Sequence, residues 1–118
     1  MSSIALFNDL YNYYLYATGT DMRKSFDGLS GIVVNELGRQ VNDKDVFIFL
    51  NKECTHIKVL LYEPDGFTLF YRRLHKGKFT RPQATAVDGS IQLNAIELIS
   101  MLKGLHLHTL KNRWQLST

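Results

Sequence analysis

Apolar and polar positions along this chain separate three strand-like runs from two helix-like ones. Residues 45–50, 57–62 and 67–74 are rich in Val, Ile, Phe and Tyr, are divided by polar segments, and predict a three-stranded antiparallel meander. Between the last two runs lies Glu63-Pro64-Asp65-Gly66. Proline presets φ for the second position of a turn, and Gly66 suits the left-handed position that closes a three-residue hairpin loop. With Glu63 opposite Phe67, Leu61 faces Leu69 and Val59 faces Tyr71 on a core face, while Leu60 faces Phe70 and Lys58 faces Arg72 on a mixed one. A two-residue loop sets Lys58 against Arg73 instead. Either register opposes two cations, which is unfavourable unless an anion sits between them or the side chains snorkel apart.

Ahead of the meander, residues 13–17 predict an edge strand. Its tyrosine cluster (Tyr11, Tyr13, Tyr14, Tyr16) either alternates between core and surface or stacks on bases. Residues 20–38 predict the clearest helix. Met22, Phe26, Leu29, Val33 and Leu37 recur at three- and four-residue steps, Thr20 can cap, Asp21 favours the first turn and Gly38 can close. Gly28 and Gly31 inside it point to close approach to the sheet or to a bend. Beyond the meander, residues 80–90 read as a mobile loop with a proline and a glycine. Asn94 and Glu97 then have capping-box spacing for a second helix. Its buried face takes Ile96, Ile99, Leu102 and Met101, and Gly104 ends it; residues 105–118 supply a final strand or a tail. The expected fold is one α+β domain spanning residues 1–118. Its antiparallel sheet has about four to five strands, with one long helix packed on it and a second helix near the C-terminus.

Charge adds a direction to this picture. The chain has 118 residues and a net charge of +3, a modest total whose distribution matters more than its size. Over residues 52–81, seven Lys or Arg (Lys52, Lys58, Arg72, Arg73, Lys76, Lys78, Arg81) stand against three acids, leaving seven bases and eight acids elsewhere. The meander is the basic part of the molecule, as an electrostatic footprint for nucleic acid is, although a solvated rim gives the same count. Arg23 and Lys24, near the predicted helix start, would join its free N–H groups in holding an anion. These nine residues are the candidate phosphate contacts, with Tyr62 or Phe70 placed to stack on exposed bases.

The sequence argues against catalysis and against a membrane. None of its acids is followed two positions later by lysine, the acidic-x-Lys arrangement common among small metal-dependent nucleases. A nuclease reading rests on Asp21, Asp27 or Glu63 alone. His106 and His108 share a strand face at their spacing but have no third ligand nearby. His56 and His75 sit by the basic cluster and suit phosphate or solvent. Cys54 stands alone as a bystander of a reducing compartment. No glycine-rich phosphate loop or nucleophile elbow is present, so no cofactor or metal is expected. With neither a signal-like N-terminus nor an apolar run of spanning length, a cytoplasmic protein is expected.

The order of motifs resembles a known family. Tyr14-Leu15-Tyr16 is followed by the run TDMRKSFDGL from Thr20 to Leu29, then by DVFIFLN from Asp45 to Asn51. Next come Thr55-His56-Ile57-Lys58-Val59-Leu60, Gly66-Phe67, Tyr71-Arg72-Arg73-Leu74, Lys76-Gly77 and Phe79. Over residues 13–104 the chain resembles the TnpB-type accessory protein encoded by the second reading frame of IS-sixty-six-type bacterial insertion sequences. That protein shares only a name with the larger RNA-guided TnpB nucleases. The resemblance implies a role in transposition beside a separate, larger transposase, with no established catalytic activity. It departs at His75, where relatives often carry an acid, and in a tail that holds only Lys111 and Arg113 where relatives are more basic. The implied partners are transposon DNA, the separately encoded transposase and a second copy of the chain. The leading expectation is an accessory protein gripping DNA through the basic meander. The rival is a protein-interaction subunit that docks on the transposase, or self-associates, through Leu60, Tyr62 and Phe70 without touching DNA.

Overall fold

Six consecutive residues of DVFIFL, Asp45–Leu50, are buried. A strand shielded on both sides belongs in the middle of a sheet covered on both faces. A computed structural model of the chain describes residues 10–40, 42–82 and 84–103. Its strands are β1 (Asn12–Tyr16), β2 (Asp45–Leu50), β3 (His56–Glu63), β4 (Gly66–Arg73) and β5 (Ser90–Leu93), in the spatial order β4-β3-β2-β1-β5. Helix α1 (Phe26–Gly31) runs into a π-helical segment, Ile32–Glu36, and α2 (Ala95–Leu102) follows β5. The expectations for Gly104, for His106 and His108, for Lys111 and Arg113, and for a strand or tail over 105–118 lie outside the described residues.

The fold is α+β, and the meander β2-β3-β4 is antiparallel as expected. The sheet as a whole is mixed, because β1 runs parallel to β2 and antiparallel to β5. The chain reaches β2 from β1 by crossing one face through α1, the connection that parallel neighbours require. Far from being an edge strand, β1 lies between β2 and β5 with Tyr13 to Tyr16 all buried. Its side chains alternate between two cores. Tyr13 and Leu15 join Val46, Ile48, Leu50, Ile57, Val59 and Leu61 beneath Leu98 and Met101 of α2. Tyr14 and Tyr16 join Phe47, Phe49, Leu60 and Tyr62 beneath Leu29, Ile32, Val33 and Leu37. The tyrosine cluster of β1 is therefore core, and Tyr62, with Ser30 Oγ 2.6 Å from its hydroxyl, is unavailable for base stacking. Burial raises the Tyr62 phenol above its ordinary value, an effect its bond with Ser30 opposes.

The first helix is short, eleven residues with its π-helical continuation. The expected stripe still faces the core, with Leu29, Val33 and Leu37 buried and Met22 and Phe26 packed beside them. Thr20 does not cap it; its N–H bonds the Leu50 carbonyl instead, 2.8 Å away. Residues 20–25 are held in another shape. Asp21 Oδ1 accepts from the Arg23 N–H at 2.9 Å, and the Lys58 ammonium donates to the carbonyls of Met22 (2.8 Å) and Lys24 (2.7 Å). Those two carbonyls are the acceptors an α-helix would need for its next turn, so the helix begins only at Phe26. The bend foreseen from Gly28 and Gly31 is the π-helical turn, at the β-branched run Ile32-Val33-Val34, with the Leu37 N–H reaching back five residues to Ile32. Gly28 lies close to the Lys24 side chain rather than to the sheet.

The hairpin closes with two residues, Pro64 and Asp65, but in neither of the two expected registers. Glu63 pairs with Gly66, so Leu60 faces Leu69, Tyr62 faces Phe67 and Lys58 faces Tyr71; no cation opposes another. Gly66 is absent from the left-handed glycines, Gly38, Gly77 and Gly89, because Pro64 and Asp65 complete the turn and Gly66 begins the strand. Both sides of β3 are core, so the expected mixed face does not exist: Leu60 and Tyr62 lie under α1, and Phe70 points to the opposite side. Helix α2 carries the expected capping box, with Asn94 Oδ1 accepting from the Glu97 N–H at 2.8 Å and Glu97 Oε1 from the Asn94 N–H at 2.9 Å. Of its expected buried face, Met101 is buried, Ile99 and Leu102 are partly buried and Ile96 is exposed; Ala95 and Leu98 complete the face instead. Ser90–Leu93, read as the end of a loop and its sequel, is instead the strand that pairs with β1.

Candidate nucleic-acid interface

Strand β4 emerges at the edge of the sheet with Arg72 on the α2 side, and the chain then turns back beneath it. Leu74 N–H bonds the Thr55 carbonyl at 2.9 Å and Phe79 N–H bonds the Cys54 carbonyl at 2.7 Å. With Phe79 buried, the segment between is pinned at both ends. Gly77, at φ 79°, supplies the left-handed residue that lets so short a loop reverse. The result is an open groove of about 430 Å³ lined by Arg72, Leu74, Lys76, Gly77, Lys78, Leu102 and Lys103. Four of these seven are cations and none is an acid. Arg72 also reaches the carbonyl of Leu102, the last residue of α2, at 3.4 Å, where helix carbonyls lack intrahelical donors and favour positive charge.

The other expected contacts are distributed elsewhere. Lys58 is 8% exposed. Two of its protons are committed to the Met22 and Lys24 carbonyls, and its ammonium lies 5.1 Å from the centroid of the Tyr71 ring. Arg23 grips Asp21 through Nε (3.1 Å) and Nη2 (2.7 Å). Lys24 is exposed beside it. Lys52 borders a second hollow, about 380 Å³, shared with Asp21 and Glu53, so its charge is not unopposed there. Arg73 is exposed opposite His56, on the α1 side. Arg81 is partly buried, with Nη1 3.4 Å from the Ala17 carbonyl. The groove thus gathers Arg72, Lys76 and Lys78 from the predicted set and adds Lys103, which sequence reasoning counted with the acidic remainder. Its signal was its place in the last turn of a helix whose packing partner was unknown. His56 Nδ1 lies 2.7 Å from the Tyr71 hydroxyl, the two rings stacked, which fixes both at the sheet edge.

The Arg23 guanidinium, aided by the Arg23 N–H, holds the Asp21 carboxyl at about 2. Because this pKa is lowered in the folded chain, the pair stays intact from neutral pH down through the usual carboxylate range and is lost as pH falls through about 2. An NMR titration of the Asp21 side chain should show that midpoint, and Arg23→Ala should return it toward roughly 4. An unchanged midpoint in the variant would mean that another group holds the carboxylate.

Among the described residues, no group of three His, Cys, Asp or Glu side chains is placed to hold a metal ion, and no helix is long and apolar enough to cross a membrane. The chain is a small α+β protein whose mixed sheet carries a cationic groove beside one edge. Comparison with known proteins assigns it more closely. It belongs to the IS66 Orf2-like family, whose model matches residues 11–112, and so to the accessory TnpB proteins of IS66-type insertion sequences, a family not known for catalysis. Among its relatives in Sinorhizobium fredii, the uncharacterized protein y4hO is 31% identical over 100 residues, covering 84% of this chain and 85% of the relative. The uncharacterized protein y4jC is 26% identical over 93 residues, covering 79% and 78%. No solved structure matches the chain.

Proposed function

We propose that this insertion-sequence accessory protein contacts DNA directly, seating backbone phosphates in the groove formed by Arg72, Lys76, Lys78 and Lys103. The observation that carries this reading is the convergence of four cations on one groove whose lining contains no acid. Phosphate contacts are electrostatic and position a protein without reading sequence. Phe70, 41% exposed, lies two residues from Arg72 on the same side of β4 and offers a ring to an unstacked base. In this reading the buried Lys58 and the paired Arg23 drop out of the contact set, Lys52, Lys24, Arg73 and Arg81 play at most a peripheral part, and strand cleavage and joining are left to the separately encoded transposase.

The test is binding to transposon-end DNA and to unrelated DNA across a salt series. Each phosphate contact contributes roughly 0.9 to the log–log salt slope on duplex DNA. The variant Arg72→Ala/Lys76→Ala/Lys78→Ala/Lys103→Ala should therefore flatten the slope by roughly three to four. A Lys24→Ala/Lys52→Ala control should change it by less than half as much. Binding that keeps its slope in the fourfold variant, or a protein with no DNA affinity at low salt, would overturn the proposal. A preference for transposon ends would add that the protein helps select them.

A further inference from the structure

Strand β4 ends the sheet, and along its outer side no described strand pairs with it. Alternate residues of an antiparallel strand turn their N–H and C=O groups to the same neighbour. The bond from the Leu74 N–H to the Thr55 carbonyl sets the phase. Even-numbered residues of β4 face β3, and Phe67, Leu69, Tyr71 and Arg73 present their backbone groups outward. Eight residues of open edge are a template for another strand, and proteins usually blunt such an edge. Here it is decorated instead. Phe67 is 46% exposed and Tyr71 53%, and both rings are held: Phe67 stacks on Phe26 at 3.8 Å between centroids, and Tyr71 on His56 at 5.9 Å. Rings fixed in advance lose little entropy when covered.

The charges along the edge say what fits it. The acidic turn carries Glu63 and Asp65 at one end, and Arg72 and Arg73 stand at the other. An antiparallel strand carrying the same charges in reverse order complements them, and a second copy of β4 is such a strand. We propose that two copies of this chain associate through β4, about a two-fold axis at Leu69, extending the sheet to ten strands. A two-fold axis perpendicular to the sheet requires cross-strand partners of equal parity, since residues opposite each other share a face. With Leu69 opposite Leu69 of the second copy, Phe67 meets Tyr71, Asp65 meets Arg73, Thr68 meets Phe70 and Gly66 meets Arg72. Of these opposed pairs, Leu69 with Leu69 and Phe67 with Tyr71 bring apolar surfaces together, Asp65 with Arg73 joins opposite charges, Gly66 leaves space for Arg72, and Thr68, whose hydroxyl is bonded to Glu63, sets its methyl against Phe70. No atom lies within 4 Å of where a Gly66 side chain would begin, so Arg72 keeps room to stay in its groove. Shifting the register by two, to place Phe70 on the axis, loses the pairing of Asp65 with Arg73.

This inference stands apart from the DNA-contact reading, though it bears on it. The axis keeps the α2 side of both copies on one surface. Two cationic grooves would then face the same way, their Arg72 residues about 20 Å apart by strand rise alone. A single-strand interface is small, so the dimer should dissociate on dilution.

Sedimentation velocity across a concentration series, with circular dichroism melts as a folding control, tests the association. The natural chain should shift from monomer to dimer as concentration rises. Arg73→Asp, at an exposed position, sets two carboxylates together at each end and should raise the dissociation constant at least tenfold. The exchange Asp65→Arg/Arg73→Asp should recover most of the loss. Register is tested by oxidative cross-linking in a Cys54→Ser background. Leu69→Cys should form a disulfide-linked dimer, since hydrogen-bonded partners lie about 5.5 Å apart at Cα, and Phe70→Cys should not. A monomer at all concentrations, an Arg73→Asp chain that dimerises as well as the natural one, or cross-linking at Phe70→Cys rather than Leu69→Cys would overturn the proposal.

Discussion

Replacing Lys58 with methionine should destabilise the protein by about 2–4 kcal/mol, read as a fall in the free energy of urea unfolding. Methionine keeps most of the aliphatic stem over Tyr71 and removes only the ammonium, so packing is nearly conserved. What is lost is the donor that holds the carbonyls of Met22 and Lys24. Each hydrogen bond to a charged group contributes about 1.5–3 kcal/mol, and because Met22 is only partly buried and Lys24 is exposed, water regains part of that on the freed carbonyls. Relief from burying the charge offsets part of this sum. The affected segment is the TDMRK turn, whose shape depends on those two bonds, so amide exchange in residues 20–25 should accelerate as stability falls. A change smaller than about 0.5 kcal/mol would mean that water replaces the ammonium without cost. The result also constrains the DNA experiment, because a binding defect in any variant lacking Lys58 would report folding as readily as contact.

Phe47→Ala should cost about 3–5 kcal/mol, the usual range for deleting a fully buried ring. Phe47 has no exposed surface and sits in β2, paired with Tyr14 of β1 on one side and Leu60 of β3 on the other. Its ring lies 5.5 Å from that of Tyr14, stacked, and 6.2 Å from that of Tyr62, edge-on. Aromatic pairs of this kind contribute about 0.5–1.5 kcal/mol each beyond area burial. Phe47→Leu, which keeps aliphatic bulk and loses both ring contacts, should therefore fall between alanine and the natural chain. A loss below about 1.5 kcal/mol for alanine would mean that α1 settles onto the sheet and closes the space.

How much of this was legible depends on how local each cause is. The meander and the Asn94–Glu97 cap were readable because their signals lie within a few residues of their effects. The hairpin register was missed by one residue because Gly66 serves equally as a turn closer and as the first residue of a strand. Nothing near β1 announced that it is interior, since its neighbours Val46 and Ile91 come from distant parts of the chain. Lys58 looked like a surface charge because its two acceptors are backbone carbonyls, invisible in a side-chain pattern. The same interaction shortened the helix, so one hidden contact accounts for two errors. Of the candidate site, Arg72, Lys76 and Lys78 were visible as a basic run. Lys103 was not, because it joins them only through the packing of α2.

The position of β1 has a further consequence, in time rather than in space. Its two neighbours are β2 and β5, and the second of these ends at Leu93. Contacts between segments close in sequence form early, and those that close long loops form late. The β2-β3-β4 meander should therefore assemble first and wait with one side of β2 unpaired. Pulse-labelled amide exchange during refolding should protect β3 before β1, and simultaneous protection would contradict this order. On the ribosome this sheet cannot be finished until Leu93 has emerged, so a strand synthesised before the whole meander is sealed in place only after it.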